Sequence, residues 1–350
     1  MALLTAGCGS ESDGAGPTSG VDPNLGGGTE WQQIVDAANA EGKVVLYTAS
    51  DGATTTLPPA FAKDYPDIEL VVVHYASGQL TAKLDAEKGT TSTGADVAMA
   101  SSKGWWDSNV DRLPEITGPA LARYWSEKPS YVLGGDKYVM SGATPLGAAV
   151  NTDRLKELKA DPITGYKDLL QPALGRNIGI VPGEGSPAAE QWWYYATQEM
   201  GGADALKQLA SLRPRAYENG TTPLATDVGS GEIAVGFYAT QSSTQALAEQ
   251  GAPIEFVPLE PAIAIGGYTG IVGTARPNAA QVLANWLLSP AGQVALFGEG
   301  NAWTPLQKAE LGEVPSTMTS IPEDSHLTDG VLTPEQSAFY DGQFLPSLGR

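Results

Sequence analysis

From Thr29 onward the chain alternates two hydrophobic patterns: short runs of consecutive apolar residues, and stretches whose apolar residues recur every three or four positions. The first kind suits strands buried on both faces, the second amphipathic helices. Trp31, Ile34, Val35 and Ala38 form a helical stripe, with Thr29-x-x-Gln32 as a capping box and Gly42 as a stop. Lys43–Thr48 (KVVLYT) reads as a buried strand, and a helix with Phe61 and Tyr65 follows, with Pro58 and Pro59 near its first turn. Ile68–Tyr75 is a second strand, Ser77 caps a helix with Leu80 and Leu84 on one face, and Asp96–Ala100 is a third strand. The rhythm restarts after an extended stretch, Tyr138–Val150. Asn177–Val181 reads as a strand and is followed by a helix with Trp192, Trp193 and Tyr194. Glu232–Tyr238 and Ile254–Pro258 read as strands, Ala262–Val272 as a Gly-rich extended segment that crosses back, and Asn278–Leu288 as an amphipathic helix.

Strand, polar loop and helix in alternation predict an α/β architecture with mainly parallel strands. Ligands of such sheets sit outside the carboxyl ends of the strands, where helix starts offer free N–H groups to an anion. The candidates at these ends are Ser50, Asp51, Ser77, Gly78, Ser101, Ser102, Gly185, Ser186, Tyr238 and Gln241. Capping and turn formation explain any one of the serines equally well. Tyr268, in the Gly-rich crossing segment, is read as facing a ligand. In each of the pairs Trp105-Trp106 and Trp192-Trp193, adjacent aromatics point different ways, so one of each pair is expected in the core and the other is open to ring stacking.

Length and charge narrow the picture. A chain of 350 residues exceeds one typical core and suggests two lobes. A net charge of −20, with 20 basic residues against 40 acidic ones and no basic run, argues against a nucleic-acid partner. No apolar run reaches the roughly 18 residues of a spanning helix. The single cysteine, Cys8, allows no internal disulfide. Leu3-Leu4-Thr5-Ala6-Gly7-Cys8 resembles the end of a bacterial lipoprotein signal, in which the cysteine is acylated after cleavage. The basic start and longer apolar stretch of such a signal are missing, so the start is expected to be truncated or misassigned. Residues 9–28, rich in Gly and Ser, read as a flexible tether.

The chemistry of catalysis is thinly represented. His74 and His326 are the two histidines, and His74 falls in an apolar run, which suits a structural role. No HExxH, GxSxG, phosphate-loop or paired-cysteine metal motif occurs. Glu184 with Asp51 imitates a glycosidase carboxylate pair, a cheap coincidence among 40 acidic residues. No enzyme and no cofactor is expected.

Several segments resemble, in order, the periplasmic solute-binding proteins of the ferric-iron, thiamine and phosphonate group. They are Glu41–Thr48 (EGKVVLYT), Thr93–Val97 (TGADV), Gly231–Gly236 (GEIAVG), and Pro277–Ala280 (PNAA) leading to Leu287–Gln293 (LLSPAGQ). The resemblance spans roughly residues 30–310. It implies the periplasmic binding protein-like II fold: two α/β lobes of mixed, mainly parallel sheet flanked by helices and joined by crossing hinge strands. Residues 29–142 with 263–300 would form lobe 1, residues 143–262 with 301–350 lobe 2, and residues 1–28 the signal remnant and tether. It further implies a monomeric extracytoplasmic binding subunit of an ABC importer. Its partners would be a small-molecule ligand, a permease and an ATPase, and the lipid anchor would be its one membrane attachment. Iron-binding members carry a Tyr pair after a strand like Gly231–Tyr238; here Gln241 and Ser242 stand near that place, and hydroxyls suit ferric iron poorly. The expected ligand is a small organic anion or zwitterion captured by hinge closure, with Gly183, Gly185 and Ser186 offering backbone N–H groups. A ferric-iron or metal-chelate binder, a sugar binder and a secreted hydrolase are the rivals.

Overall fold

The computed structural model of the chain describes residues 28–349 apart from 51, 76, 89–93, 219, 274, 299–301, 312–317 and 324. Its strands are β1 (Lys43–Thr48), β2 (Glu69–His74), β3 (Val97–Ala100), β4 (Val132–Leu133), β5 (Tyr138–Asn151), β6 (Ile178–Ile180), β7 (Arg215–Ala216), β8 (Val235–Thr240), β9 (Ile254–Val257), β10 (Ile263–Ile271), β11 (Trp303–Thr304), β12 (Thr319–Ser320) and β13 (His326–Thr328). The main order is β2-β1-β3-β10-β5-β8-β6-β7. Pairing is parallel at both ends, β2-β1-β3 and β8-β6-β7, and antiparallel through the middle, where β10 and β5 run.

The helices that matter for the site are those that follow strands. On the first half lie α1 (Thr29–Glu41), α2 (Ala53–Asp64), α3 (Ser77–Ala86), α4 (Lys103–Asn109) and α5 (Pro119–Glu127). The second half carries α6 (Thr152–Leu158), α7 (Pro187–Met200), α8 (Ala203–Ser211), α9 (Thr221–Gly229) and α10 (Gln241–Glu249). Later in the chain, α11 (Pro277–Leu288) and α12 (Pro290–Phe297) return to the first half, and α1 packs on α11.

Helix ends and interiors differ from the sequence reading in two places. Gly28, not Thr29, is the cap of α1, and no side chain caps it, so the expected capping box is absent. Pro58 and Pro59 sit inside α2 rather than at its first turn. Each removes an N–H from the ladder. The helix holds because Leu57 and Phe61 are fully buried on the sheet, so packing overrides the propensity. Gly42 ends α1 as expected, in the left-handed conformation at φ 67°.

Two lobes follow from two separate cores. In lobe 1, Val44, Leu46, Phe61 and Trp286 pack on one face of β1 and β3, and Trp106, Tyr138 and Tyr268 belong to a second cluster in the same lobe. In lobe 2, Ile178, Trp192, Trp193 and Phe237 form the centre. Among the described residues the chain passes between them along β5, along β10, and between Met318, in the first core, and Phe339, in the second. Residues 301–350 contribute to both cores. Leu306, Leu311 and Met318 lie in the lobe 1 core, Trp303 pairs with Ala143, and Thr304 Oγ1 donates to Gln293 Oε1 at 2.6 Å. The hydrophobic pattern there is too short to reveal this detour.

Two bulges interrupt the pairing of the crossing strand β5. Between β10 and β5 the register passes from Gly267↔Gly142 to Tyr268↔Met140, leaving Ser141 extra; its hydroxyl pairs with Thr269 Oγ1 at 2.7 Å. Between β5 and β8 it passes from Gly147↔Ala239 to Ala148↔Phe237, leaving Tyr238 extra at φ 75°. A Cβ at Gly147 would lie 2.4 Å from Val257 O, so only glycine lets β9 approach there.

Candidate functional site

The strand directions place the site. β3 runs from Val97, opposite Ile271, to Ala100, opposite Tyr268, so its carboxyl end points along β10 toward lobe 2. β8 runs from Val235, opposite Val150, to Thr240, opposite Leu146, so its carboxyl end points along β5 toward lobe 1. The two ends are separated by the stretch of β5 from Met140 to Leu146, about 20 Å at the usual strand rise. Ser101-Ser102 and α4 continue β3; Thr240-Gln241 and α10 continue β8; residues 181–186 and α7 continue β6.

The serines at two of these ends are not used for capping. Ser102 is the cap residue of α4 and Ser186 that of α7, yet neither side chain accepts a cap hydrogen bond from its helix. Thr240 behaves differently, accepting from Ser243 N, so Gln241 is the first residue of α10 and is half-buried. Ser50 is exposed at the end of β1, its amide donating to Thr48 Oγ1 at 3.1 Å. In the α7 loop, Gly183 and Gly185 have φ of 76° and 75°, and Ser186 N donates to Gly183 O. A Cβ on Gly183 would meet Ala189 Cβ at 2.4 Å, so this turn packs directly on its helix.

The tryptophans set both loops in the same way. In each pair the rings meet edge to face, at 5.0 Å and 86° for Trp105–Trp106 and 5.1 Å and 89° for Trp192–Trp193. Trp106 Nε1 donates to Ala100 O at 3.2 Å and Trp193 Nε1 to Val181 O at 2.9 Å, each carbonyl lying beside the loop that precedes the helix. The expectation that one ring of each pair stays outside the core is corrected, since all four are buried. Trp105 is covered through its indole N–H, which donates to Asp85 Oδ1 of α3 at 3.0 Å, and Trp192 packs on Phe237 and Tyr238 of β8.

Tyr238 and Tyr268 lie under the loops. Tyr238 is 7% exposed and packs against Trp192 at 4.8 Å and Trp193 at 6.4 Å; burial pushes its hydroxyl far above the usual phenol range. Tyr268 is 4% exposed and edge-on to Tyr138, and burial followed by the charges of Asp329 and Asp107 raises it likewise. Ser77 and Gly78 open α3 after β2. Asp51 and Cys8 lie outside the described residues. His74 is the exposed last residue of β2.

One feature escaped the sequence reading. The turn Asp329-Gly330 sits between the first turns of α4 and α7: Lys103 N donates to Asp329 O at 3.1 Å, and Gln191 Oε1 accepts from Asp329 N and Gly330 N at 2.8 and 3.2 Å. An Asp-Gly pair signals a turn, but nothing local tells where the turn docks. Among the described residues no three or more His, Cys, Asp or Glu side chains gather to hold a metal, and no helix is long and apolar enough to cross a membrane.

Two crossing-strand lobes with strand ends converging between them define a ligand-binding protein. The family model described as bacterial extracellular solute-binding protein matches residues 43–300, and the chain belongs to that family. Membership makes it a solute-binding protein that works outside the cytoplasm, and not an enzyme. No protein of curated function matches the sequence. Similar solved structures include iron-bound HitA from Pseudomonas aeruginosa (17% identity, TM-score 0.64, covering 88% of this chain and 98% of that one). AfuA from Actinobacillus pleuropneumoniae, with fructose-6-phosphate bound, has 22% identity and TM-score 0.61, covering 88% and 99%. The substrate-binding protein of an ABC transporter from Agrobacterium tumefaciens has 14% identity and TM-score 0.70, covering 89% and 97%. At such identities these likenesses establish the fold alone.

Proposed function

We propose that this protein captures a small organic anion or zwitterion by closing its two lobes around it, and delivers it to an ABC permease and ATPase. The observation that carries the reading is that Ser102 and Ser186 stand at helix caps with hydroxyls withheld from capping, at strand ends that point toward each other. A serine in that place ordinarily accepts from its own helix. The withheld hydroxyls and the half-buried Gln241 suit a negatively charged group, whereas the loop amides expected to do so are already taken, Gly185 N by Glu190 and Ser186 N by Gly183 O. AfuA, with a sugar phosphate bound, gives a chemical precedent within the fold. A ligand touching both lobes gains its full set of contacts only in the closed form, so binding shifts the population toward closure.

Ser186→Asp tests this. A carboxylate there repels the ligand's anionic group and lowers affinity at least tenfold, about 1.4 kcal/mol, with the fold intact. The assay is calorimetric titration of wild type and variant with a panel of phosphonates, carboxylates, amino acids and sugar phosphates, plus thermal melts. Unchanged affinity for the tightest member of the panel removes the Gly185-Ser186 loop from the site.

The same reading places the protein on the membrane through a lipid on Cys8, supported by the run of apolar and small residues before it and the Gly/Ser-rich segment after it. Expressed behind a complete lipoprotein signal, wild type fractionates with membranes and Cys8→Ala becomes soluble. Equal partitioning of the two forms rejects the anchor.

A further inference from the structure

The Asp329-Gly330 turn is attached unequally to the two lobes. On the lobe 2 side, the side-chain carbonyl of Gln191, itself 6% exposed on α7, accepts both amides of the turn. The strand leading into it adds His326, whose ring stacks on Tyr195 of the same helix at 5.0 Å and 8°. Gly330 holds φ 73°, and a Cβ there would come to 3.4 Å of Ala188 N, so the turn fits closely against the start of α7. On the lobe 1 side, Leu327 of the same strand packs against the cluster of Trp106 and Tyr138, and the turn itself is held by the bond from Lys103 N to Asp329 O at 3.1 Å. That amide has a second acceptor, Ser101 O, also at 3.1 Å, so it keeps a partner when the first is lost. Breaking it therefore avoids the cost of an orphaned donor.

We infer that the Asp329-Gly330 turn is a latch between the lobes, clamped to α7 by Gln191 and detached from the start of α4 when the lobes part. Gln191 and the Lys103 amide thereby set the open–closed balance of the empty protein. The inference rests on the hinge motion proposed above but not on the class of ligand. Gln191 acts as a positioning residue: it fixes the turn, and the turn meets the other lobe.

Lys103 is the first residue of α4, a position where proline fits, and Ser102 before it has φ −82° and ψ 88°, outside the helical region. Lys103→Pro thus deletes the donor while keeping the helix. Lys103→Ala deletes the same side chain, with its ion pair to Asp107, but keeps the amide. Gln191→Leu removes the acceptor at similar volume, and Gln191→Glu retains one. The experiment measures the spin-label distance between cysteines placed at the exposed positions Ala62, on α2, and Ala248, on α10, in a Cys8→Ser background free of other cysteines. Lys103→Pro and Gln191→Leu are expected to raise the open-to-closed ratio about fivefold, the worth of one net hydrogen bond, and Lys103→Ala and Gln191→Glu to leave it near wild type. Circular dichroism verifies that each variant is folded. Two populations in wild type that neither Lys103→Pro nor Gln191→Leu shifts would overturn the latch and leave the hinge standing. One fixed distance in wild type and every variant would overturn both.

Discussion

Arg276→Met lowers stability by about 3–5 kcal/mol at neutral pH, and part of that loss returns on acidification. Asp96, 1% exposed, precedes β3 and ties three elements together. Its Oδ2 accepts from Arg276 Nε at 2.7 Å, at the start of α11, and from Val45 N at 2.8 Å, in β1. Its other oxygen is buried with no partner. Burial pushes this carboxyl above the ordinary range, against the opposing pull of Arg276 and the Val45 amide. Removing the guanidinium leaves a buried charge with a single amide, and the raised value climbs further. The sign follows from linkage. A carboxyl whose folded value is raised binds its proton more tightly in the folded state, so its contribution is most favourable below the unfolded value, about 3.9, and is lost as pH rises through the folded one. The gap in melting temperature between Arg276→Met and wild type should therefore narrow from pH 7 to about pH 4.5. Asp96→Asn with Arg276→Met, which removes the charge as well, should be more stable than Arg276→Met alone and show a flat gap. A loss under 1 kcal/mol that ignores pH would sink the account.

Much of the fold was legible because its strands are unbroken apolar runs. KVVLYT is β1 to the residue, and the stretch Tyr138–Val150 is the crossing strand β5 with one residue added. Such strands are buried on both faces, so every position carries the signal. What stayed hidden depends on contacts distant in sequence. Pro58 and Pro59 contradict a helix locally, and only the buried Leu57 and Phe61 explain why it persists. Both rings of each Trp pair are covered by parts of the chain that no local window contains. The return of Leu306 and Met318 to lobe 1, and the docking of Asp329-Gly330 between α4 and α7, have no periodicity to betray them. Residue type and place at a strand end singled out Ser102 and Ser186 as candidates, and both stand at helix caps with no side-chain cap bond. The sequence could not separate capping from a withheld hydroxyl, because both use the same residue at the same position.

Trp193→Ala should cost about 3–5 kcal/mol, the range for a large aromatic removed from a packed core. The ring is fully buried, 4.4 Å from Phe344 and 5.0 Å from Phe237, and lies parallel to Tyr238. Its neighbours come from β8 and from near the carboxyl end of the described chain, so they cannot collapse together without moving the sheet. The second function of the residue is separable. Trp193→Phe keeps most of the packing and deletes the indole N–H, leaving Val181 O buried without its donor, a smaller cost of about 1–3 kcal/mol. That carbonyl begins the loop through Gly183 and Gly185 to Ser186, so the loop should loosen although the protein stays folded. Trp192→Phe is the matched control: it removes an indole N–H of the same helix, but one that donates to Ile263 O in the crossing strand β10. Hydrogen exchange at the amides of residues 183–186 distinguishes them. It should rise at least tenfold in Trp193→Phe and stay near wild type in Trp192→Phe, with chemical denaturation giving the global stability of each. Equal exchange in the two variants at matched stability would mean that the indole bond packs the core but does not hold the loop.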